Sequence, residues 1–311
     1  MAKETKQDRI VRTMIDPVTE QLHQLKTLIA NPNLKEADLE RWCEGVFRNC
    51  LGYTATNSYE IRAQESRGKS RPDLVILETD KPICVIEVKR LGFDLNKSDL
   101  RSGKLQLTEY LSLIGNVRWG ILTNGYEWRL FDYSIATPGG VEVVSFDIRN
   151  EKDEIDVTKR AIEEVCWSFV DIHEKTYQDE SWKEFAVEAT AFSPDSLAKA
   201  ILSLDTVKYI SKVIRGEHDY KANVEVLLDK LNNLIVKGLD DSVSGWNETK
   251  EAELNKFVTS QKRTSRKKRT NKEKTDLTAA APAQENTVDA QPILKTTTSN
   301  SSDNGSTSNA A

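Results

Sequence analysis

The sequence predicts an α/β domain, a mixed β-sheet flanked by helices, followed by a C-terminal helical region and a disordered tail. Three observations predict it. Helical-period apolar patterns at 34–51 and 100–114 alternate with short β-rich runs at 74–77, 83–86 and 119–123. The pair Asn124-Gly125 between two apolar runs marks a β-hairpin. After residue 259 large apolar residues nearly vanish, leaving Ser, Thr, Asn, Ala and Lys, too little to offset chain entropy.

Each element has its own signal. In 6–29, Ile10, Met14, Val18, Leu22, Leu25 and Leu28 recur at near-helical intervals, with Pro17 expected to kink or break the helix. The 34–51 helix presents Leu39, Trp42, Cys43, Val46, Phe47 and Cys50 and stops at Gly52. A strand at 59–63 and a polar loop at 65–71 precede the two apolar strands 74–77 and 83–86. Helix 100–114 leads to strand 119–123, and a two-residue turn at Asn124-Gly125 returns through Tyr126, Trp128, Leu130 and Tyr133 to a last strand at 141–148. Beyond come a helix at 155–172, a helix start at Ser193-Pro194, and helices 197–214 and 224–239 joined by a polar turn near Gly216. The 311 residues thus divide into a helical segment (1–33), the α/β domain (34–150), a helical region (151–258) and the tail (259–311).

A formal net charge of -5 argues against a simple polycation that coats nucleic acid. Locally the balance reverses: between Lys262 and Lys274 eight Lys or Arg residues, Lys267 and Lys268 among them, face one acid, Glu273. Such a run is either a solvated flexible segment or a source of salt-dependent affinity for phosphates. The four cysteines, Cys43, Cys50, Cys84 and Cys166, are scattered without a Cys-x-x-Cys pair and read as buried thiols of a reducing compartment. No signal-peptide-like segment and no run approaching ~18 apolar residues is present, so a cytoplasmic protein without a membrane partner is expected.

Chemistry concentrates at the ends of the two apolar strands. Asp73 opens one, and Glu87-Val88-Lys89 closes the other, with Glu87 and Lys89 on one face because strand side chains alternate. A lone Glu-x-Lys is usually a solvated pair at a strand edge. Here the flanks are β-branched and nearly free of polar residues, as in buried strands, where a charge needs a reason. Two carboxylates beside an ammonium can hold a hard divalent cation and polarise a water. Gln106 and Tyr110, four apart, share one helix face and can point the same way; the plainer reading makes Tyr110 core and Gln106 surface. Arg62, Arg67, Lys69, Arg71 and Arg90 cluster around these strands, suited either to a nucleic-acid backbone or to solubility. Gly68-Lys69-Ser70 makes no ATP-binding phosphate loop, because Ala63 stands where its first glycine is required.

The stretches Arg71-Pro72-Asp73-Leu74-Val75-Ile76, Val85-Ile86-Glu87-Val88-Lys89-Arg90, Gln106-Leu107-Thr108-Glu109-Tyr110 and 119–128 together resemble the PD-(D/E)XK nuclease superfamily. More closely, residues 34–148 resemble the N-terminal nuclease domain of type I restriction enzyme R subunits. The resemblance implies a restriction-endonuclease-like fold and metal-dependent cleavage of DNA. It implies Mg²⁺, replaceable by Mn²⁺, on Asp73, Glu87 and the Val88 carbonyl, with Lys89 activating the attacking water. Gln106 and Tyr110 would match a Gln-x-x-x-Tyr element, and a glutamate of the first domain helix would approach the metal. Glu40 is the best positional match, with Glu36 and Glu44 one turn away. Arg71, Arg90, Lys267 and Lys268 would meet DNA. The family's ATP-driven translocase has neither room nor a phosphate loop here, so the expectation is a stand-alone nuclease-like protein or a component that borrows specificity or a motor from protein partners. The rival expectation is a non-catalytic DNA-binding or complex-assembly protein that keeps the fold, with the helices of 194–239 as its interaction surface.

Overall fold

A computed structural model describes residues 4–63, 71–96, 103–115, 117–134, 140–243 and 246–278, and the side chains of all these except Ser242 and 266–278. The amphipathic helices α1 (Lys6–Ile29) and α2 (Glu36–Asn49) come first, each burying the apolar stripe its period predicts. Strands β1 (Tyr59–Ala63), β2 (Leu74–Glu78) and β3 (Lys81–Val88) form an antiparallel meander. Helix α3 (Gly103–Ile114) then crosses over to β4 (Trp119–Thr123), which pairs parallel with β3. Antiparallel β5 (Glu127–Asp132) and β6 (Val141–Asp147) complete a six-stranded sheet in the order β1-β2-β3-β4-β5-β6.

Two apolar layers cover the sheet. On one face Cys84, Ile86 and Val88 of β3, with Ile121 and Trp128, pack against α1, α2 and α4 (Lys159–Val170). Trp128 is fully buried and meets Trp42, Phe47 and Phe169 edge to face. On the other face Val85, Leu122 and Phe131 pack under Leu107, Tyr110 and Leu111 of α3. The alternation along β3 sorts its side chains between the layers, and Glu87 falls on the α3 side.

After α4 come α5 (Glu174–Gln178) and α6 (Ser181–Ala191), whose Trp182 joins the main core. Then α7 (Pro194–Ile201), α8 (Leu204–His218), α9 (Val224–Ser242) and α10 (Glu248–Thr278) assemble around Ala198, Leu202, Val207, Leu228, Leu239, Leu254 and Val258.

Five local expectations change. Helix α1 runs unbroken through Pro17: proline removes one backbone donor, while Met14, Val18 and Leu22 on the same side remain buried in the core. The β4–β5 connection is the three residues 124–126; the Asn124 side chain caps it by accepting from Tyr126 and Glu127, and the Asn124 backbone N–H donates to Glu127 O (3.3 Å). The two-residue turn lies instead between β2 and β3, where Thr79 (φ 48°) and Asp80 (φ 65°) both adopt left-handed backbone. The expected helix 197–214 is split at 202–203 into α7 and α8. Gly216 lies inside α8, and the chain reverses after Asp219 (φ 49°). Finally, helix continues past 259, where the tail is expected to begin. Leu254 and Val258 dock α10, Gln261 accepts the Leu204 amide (3.0 Å), and the following Lys- and Arg-rich residues favour helix.

Candidate active site

The β2–β3 register sets Leu74 opposite Ile86, which brings Asp73 to the end of the sheet beside Glu87. Asp73 Oδ2 accepts the backbone N–H of Val88 (2.7 Å), a bond that ties the carboxylate to the closing strand. Glu87 is 3% exposed and Lys89 8%. The Lys89 ammonium donates to Glu87 Oε1 and to Gln106 Oε1 of α3, while Glu87 Oε2 is buried without any hydrogen-bond partner. The Lys89 backbone N–H donates to Thr123 O of the parallel neighbour (2.7 Å), so the strand end is held on both sides.

Helix α3 reaches this end of the sheet because it begins on a glycine. A Cβ at Gly103 would stand 2.2 Å from Leu122 Cδ1 and 3.2 Å from Lys89 Cε. Tyr110, one helical turn beyond Gln106, is buried. Burial, with Glu87 and Asp73 nearby, pushes its phenol above the ordinary range, and the Arg71 backbone hydrogen-bonds to it. Its ring packs in the α3 layer, the core position the plainer reading gives it, with the charges of Glu87 and Asp73 acting on its hydroxyl.

Electrostatically the site is a concentration of carboxylates short of solvent. Burial raises the Asp73 carboxyl to about 6, and the charges of Glu40 and Glu36 add to it against the Val88 bond and Lys89. Burial raises Glu87 to about 8, reinforced by Asp73 and only partly offset by Lys89. The Glu40 carboxyl is also raised, first by burial, then by Glu36, with Arg71 opposing. Glu36 and Glu40 therefore both act on the centre from α2, whereas Glu44 is drawn away into a pair with Arg48 (2.8 Å). Among the described residues no group of three or more His, Cys, Asp or Glu side chains is arranged to hold a metal. The oxygen donors on offer are Asp73, the orphaned Glu87 Oε2 and the Val88 carbonyl, with water to complete a hard cation's shell.

Glu36, Lys89, Arg90, Phe93 and Gln106 line an open cleft of ≈ 350 Å³ that leads to these groups. Arg90 is exposed at its rim. Arg62 is instead engaged by Glu60 (2.7 Å) and Asp80 (3.4 Å) at the sheet edge. Arg67, Lys69 and the 68–70 stretch lie outside the described residues, as do the side chains of Lys267 and Lys268 on α10. The sequence assigns Gly103 and Phe93 no part in the site, and it marks Asn124 as a turn residue alone.

Comparisons with known proteins place these residues in context. Residues 33–138 match the family model described as Type I restriction enzyme R protein N terminus. The chain is 29% identical over 94 residues to the Type I restriction enzyme SauCOLORF180P endonuclease subunit of Staphylococcus aureus strain COL. It is equally similar to the SauMW2ORF169P endonuclease subunit of strain MW2. Each match covers 30% of this chain and only 9% of the relative's length. Among solved structures, the type IIG restriction endonuclease BpuSI aligns with 70% of this chain and 28% of its own, at 18% identity and a TM-score of 0.34. The matched stretch contains α2, β1 to β5 and every site residue from Glu36 to Tyr110. The family-model match and the relatives from Staphylococcus aureus support a restriction-endonuclease-like nuclease domain over residues 33–138.

Proposed function

We propose, from that domain as premise, that this protein is a divalent-metal-dependent nuclease that hydrolyses DNA phosphodiester bonds. One observation carries the proposal: the buried Lys89 ammonium is held between Glu87 and Gln106 beside Asp73, while one oxygen of Glu87 is buried with nothing to bind. A binding-only surface has no use for two carboxyl groups gathered at this point, because once ionised they repel a phosphate.

In this reading Asp73, Glu87 and the Val88 carbonyl hold Mg²⁺, or Mn²⁺ in its place. When bound, the ion supplies charge neutralisation and a lowered water pKa. Lys89, fixed by two acceptors, orients the attacking water, and Gln106 keeps the ammonium from collapsing wholly onto Glu87. Glu36 and Glu40 hold outer waters from α2. Tyr110 positions Asp73 through the Arg71 backbone. Arg90 at the cleft, Arg71 before β2, and Lys267 and Lys268 on α10 neutralise phosphates. In this reading protein partners supply sequence specificity or DNA movement.

Purified protein incubated with supercoiled and linear DNA is expected to cut it with Mg²⁺ or Mn²⁺ and not with EDTA. Asp73→Ala and Lys89→Ala should each lose at least about a hundredfold in rate, the scale of removing a metal ligand or an activating group. Equal cutting by all three proteins, or DNA binding without cutting under every metal condition, would remove the proposal.

A further inference from the structure

We propose that Asn124 is a positioning residue that pins the β3–α3 connection, and with it the Arg90 and Phe93 wall of the cleft, to the β4–β5 hairpin. The inference rests on the nuclease reading for its purpose but not for its geometry. Asn124 is 1% exposed, and each end of its amide has two partners. Oδ1 accepts the backbone N–H groups of Tyr126 (2.9 Å) and Glu127 (2.7 Å), and Nδ2 donates to Phe93 O (2.8 Å) and Glu127 Oε1 (3.2 Å). Two donors on one side and two acceptors on the other fix which end is oxygen. Capping the turn needs only the oxygen, a task aspartate performs as well. The nitrogen is what reaches the connection.

Its neighbours serve the same junction. Thr123 O holds the Lys89 backbone (2.7 Å). Gly125 (φ 86°) lets the hairpin tip seat between α2 and the connection, since a Cβ there would stand 2.9 Å from Leu39 Cδ1 and 3.1 Å from Leu91 Cδ1. Arg129 adds a second tie, bonding Glu127 Oε2 (2.7 Å) and Asn96 Oδ1 (2.9 Å). Three consecutive residues thus bind the strand end that bears Lys89, the connection that bears Arg90, and the flank of α2 next to Glu40. The arrangement makes the hairpin tip a common anchor for groups drawn from three elements.

Asn124→Asp separates the two roles, because it keeps the turn's oxygen and removes the donor to Phe93. Asn124→Asp/Glu127→Gln does the same without the like-charge contact that the single change creates. Hydrogen exchange of 90–96 in the metal-free full chain is expected to rise about tenfold in both variants, while β4 and β5 keep their protection. With Mg²⁺ and DNA, kcat should fall about tenfold with KM within about twofold, since it is positioning that is lost. Unchanged exchange at 90–96 in both variants overturns the pin whatever the cleavage assay shows. Lost protection across the whole hairpin in both also overturns it, by reducing Asn124 to a turn residue. Faster exchange confined to 90–96, in a protein whose wild type cuts no DNA, upholds the pin and sinks the nuclease reading instead.

Discussion

Glu87 is an acid placed where the sheet offers it one ammonium and almost no water. Its folded pKa of about 8, and that of about 6 for Asp73, lie above the ordinary carboxyl values of 4.5 and 3.8. The sign follows from linkage: a raised carboxyl favours the folded state while protonated, and that contribution is lost as pH rises from about 4 through about 8. His173 works the other way. Burial lowers its pKa to about 4, so its contribution is lost as pH falls below about 6.5. Comparing a Glu87 variant with wild type isolates the carboxyl. Metal-free Glu87→Gln should melt about 5 °C above metal-free wild type at pH 8.5 and close to it at pH 5, read by scanning calorimetry. Saturating Mg²⁺ should stabilise wild type at pH 8.5 and leave the variant unmoved. At this scale the chain was legible where period alone decides: strand alternation puts Glu87 and Lys89 on one face. Glu36, Glu40 and Glu44 were not separable, because they are successive helical turns. What separates them is tertiary: Arg48 engages Glu44, while the charges of Glu36 and Glu40 act on Asp73.

At the scale of elements, the meeting of α3 with β3 and β4 depends on an absent side chain. Gly103→Val would put methyl groups where Leu122 and Lys89 already lie, so α3 must lift. Unfolding should become easier by about 1–3 kcal/mol. Cleavage should fall further than stability predicts, because Gln106 moves off Lys89; full activity at reduced stability would show that α3 tolerates the shift. The strands and both α2 and α3 could be read from periodicity, and their order led directly to a mixed sheet. Turns could not. Asn124-Gly125 carries the sequence signature of a two-residue hairpin turn yet belongs to a three-residue loop capped by a side chain, while Thr79-Asp80, with no glycine, makes the two-residue turn. In both places the pairing of already-buried strands dictates the backbone, and the local preference yields.

For the whole molecule, the α7–α10 cluster is an apolar core separate from the two that cover the sheet. Leu254→Ala should therefore destabilise α7–α10 by about 3 kcal/mol, seen as faster hydrogen exchange there, with β2 to β5 unaffected. Loss of protection throughout the sheet would instead show one cooperative unit. Composition marked 259 as the end of folded structure because it counts apolar residues, and α10 continues for reasons that composition underweights: two buried anchors upstream and a run of good helix formers. The one parallel pairing among the described residues, β3 with β4, bears on how the chain folds in time. Its partners meet only after α3 has crossed over, so this junction carries the largest loop-closure cost in the sheet, and Lys89 and Gln106 sit on either side of it. The centre should thus be the last part of the domain to form. On refolding from urea, cleavage activity is expected to return after the far-ultraviolet signal of the helices, and simultaneous recovery would show that the crossover closes early.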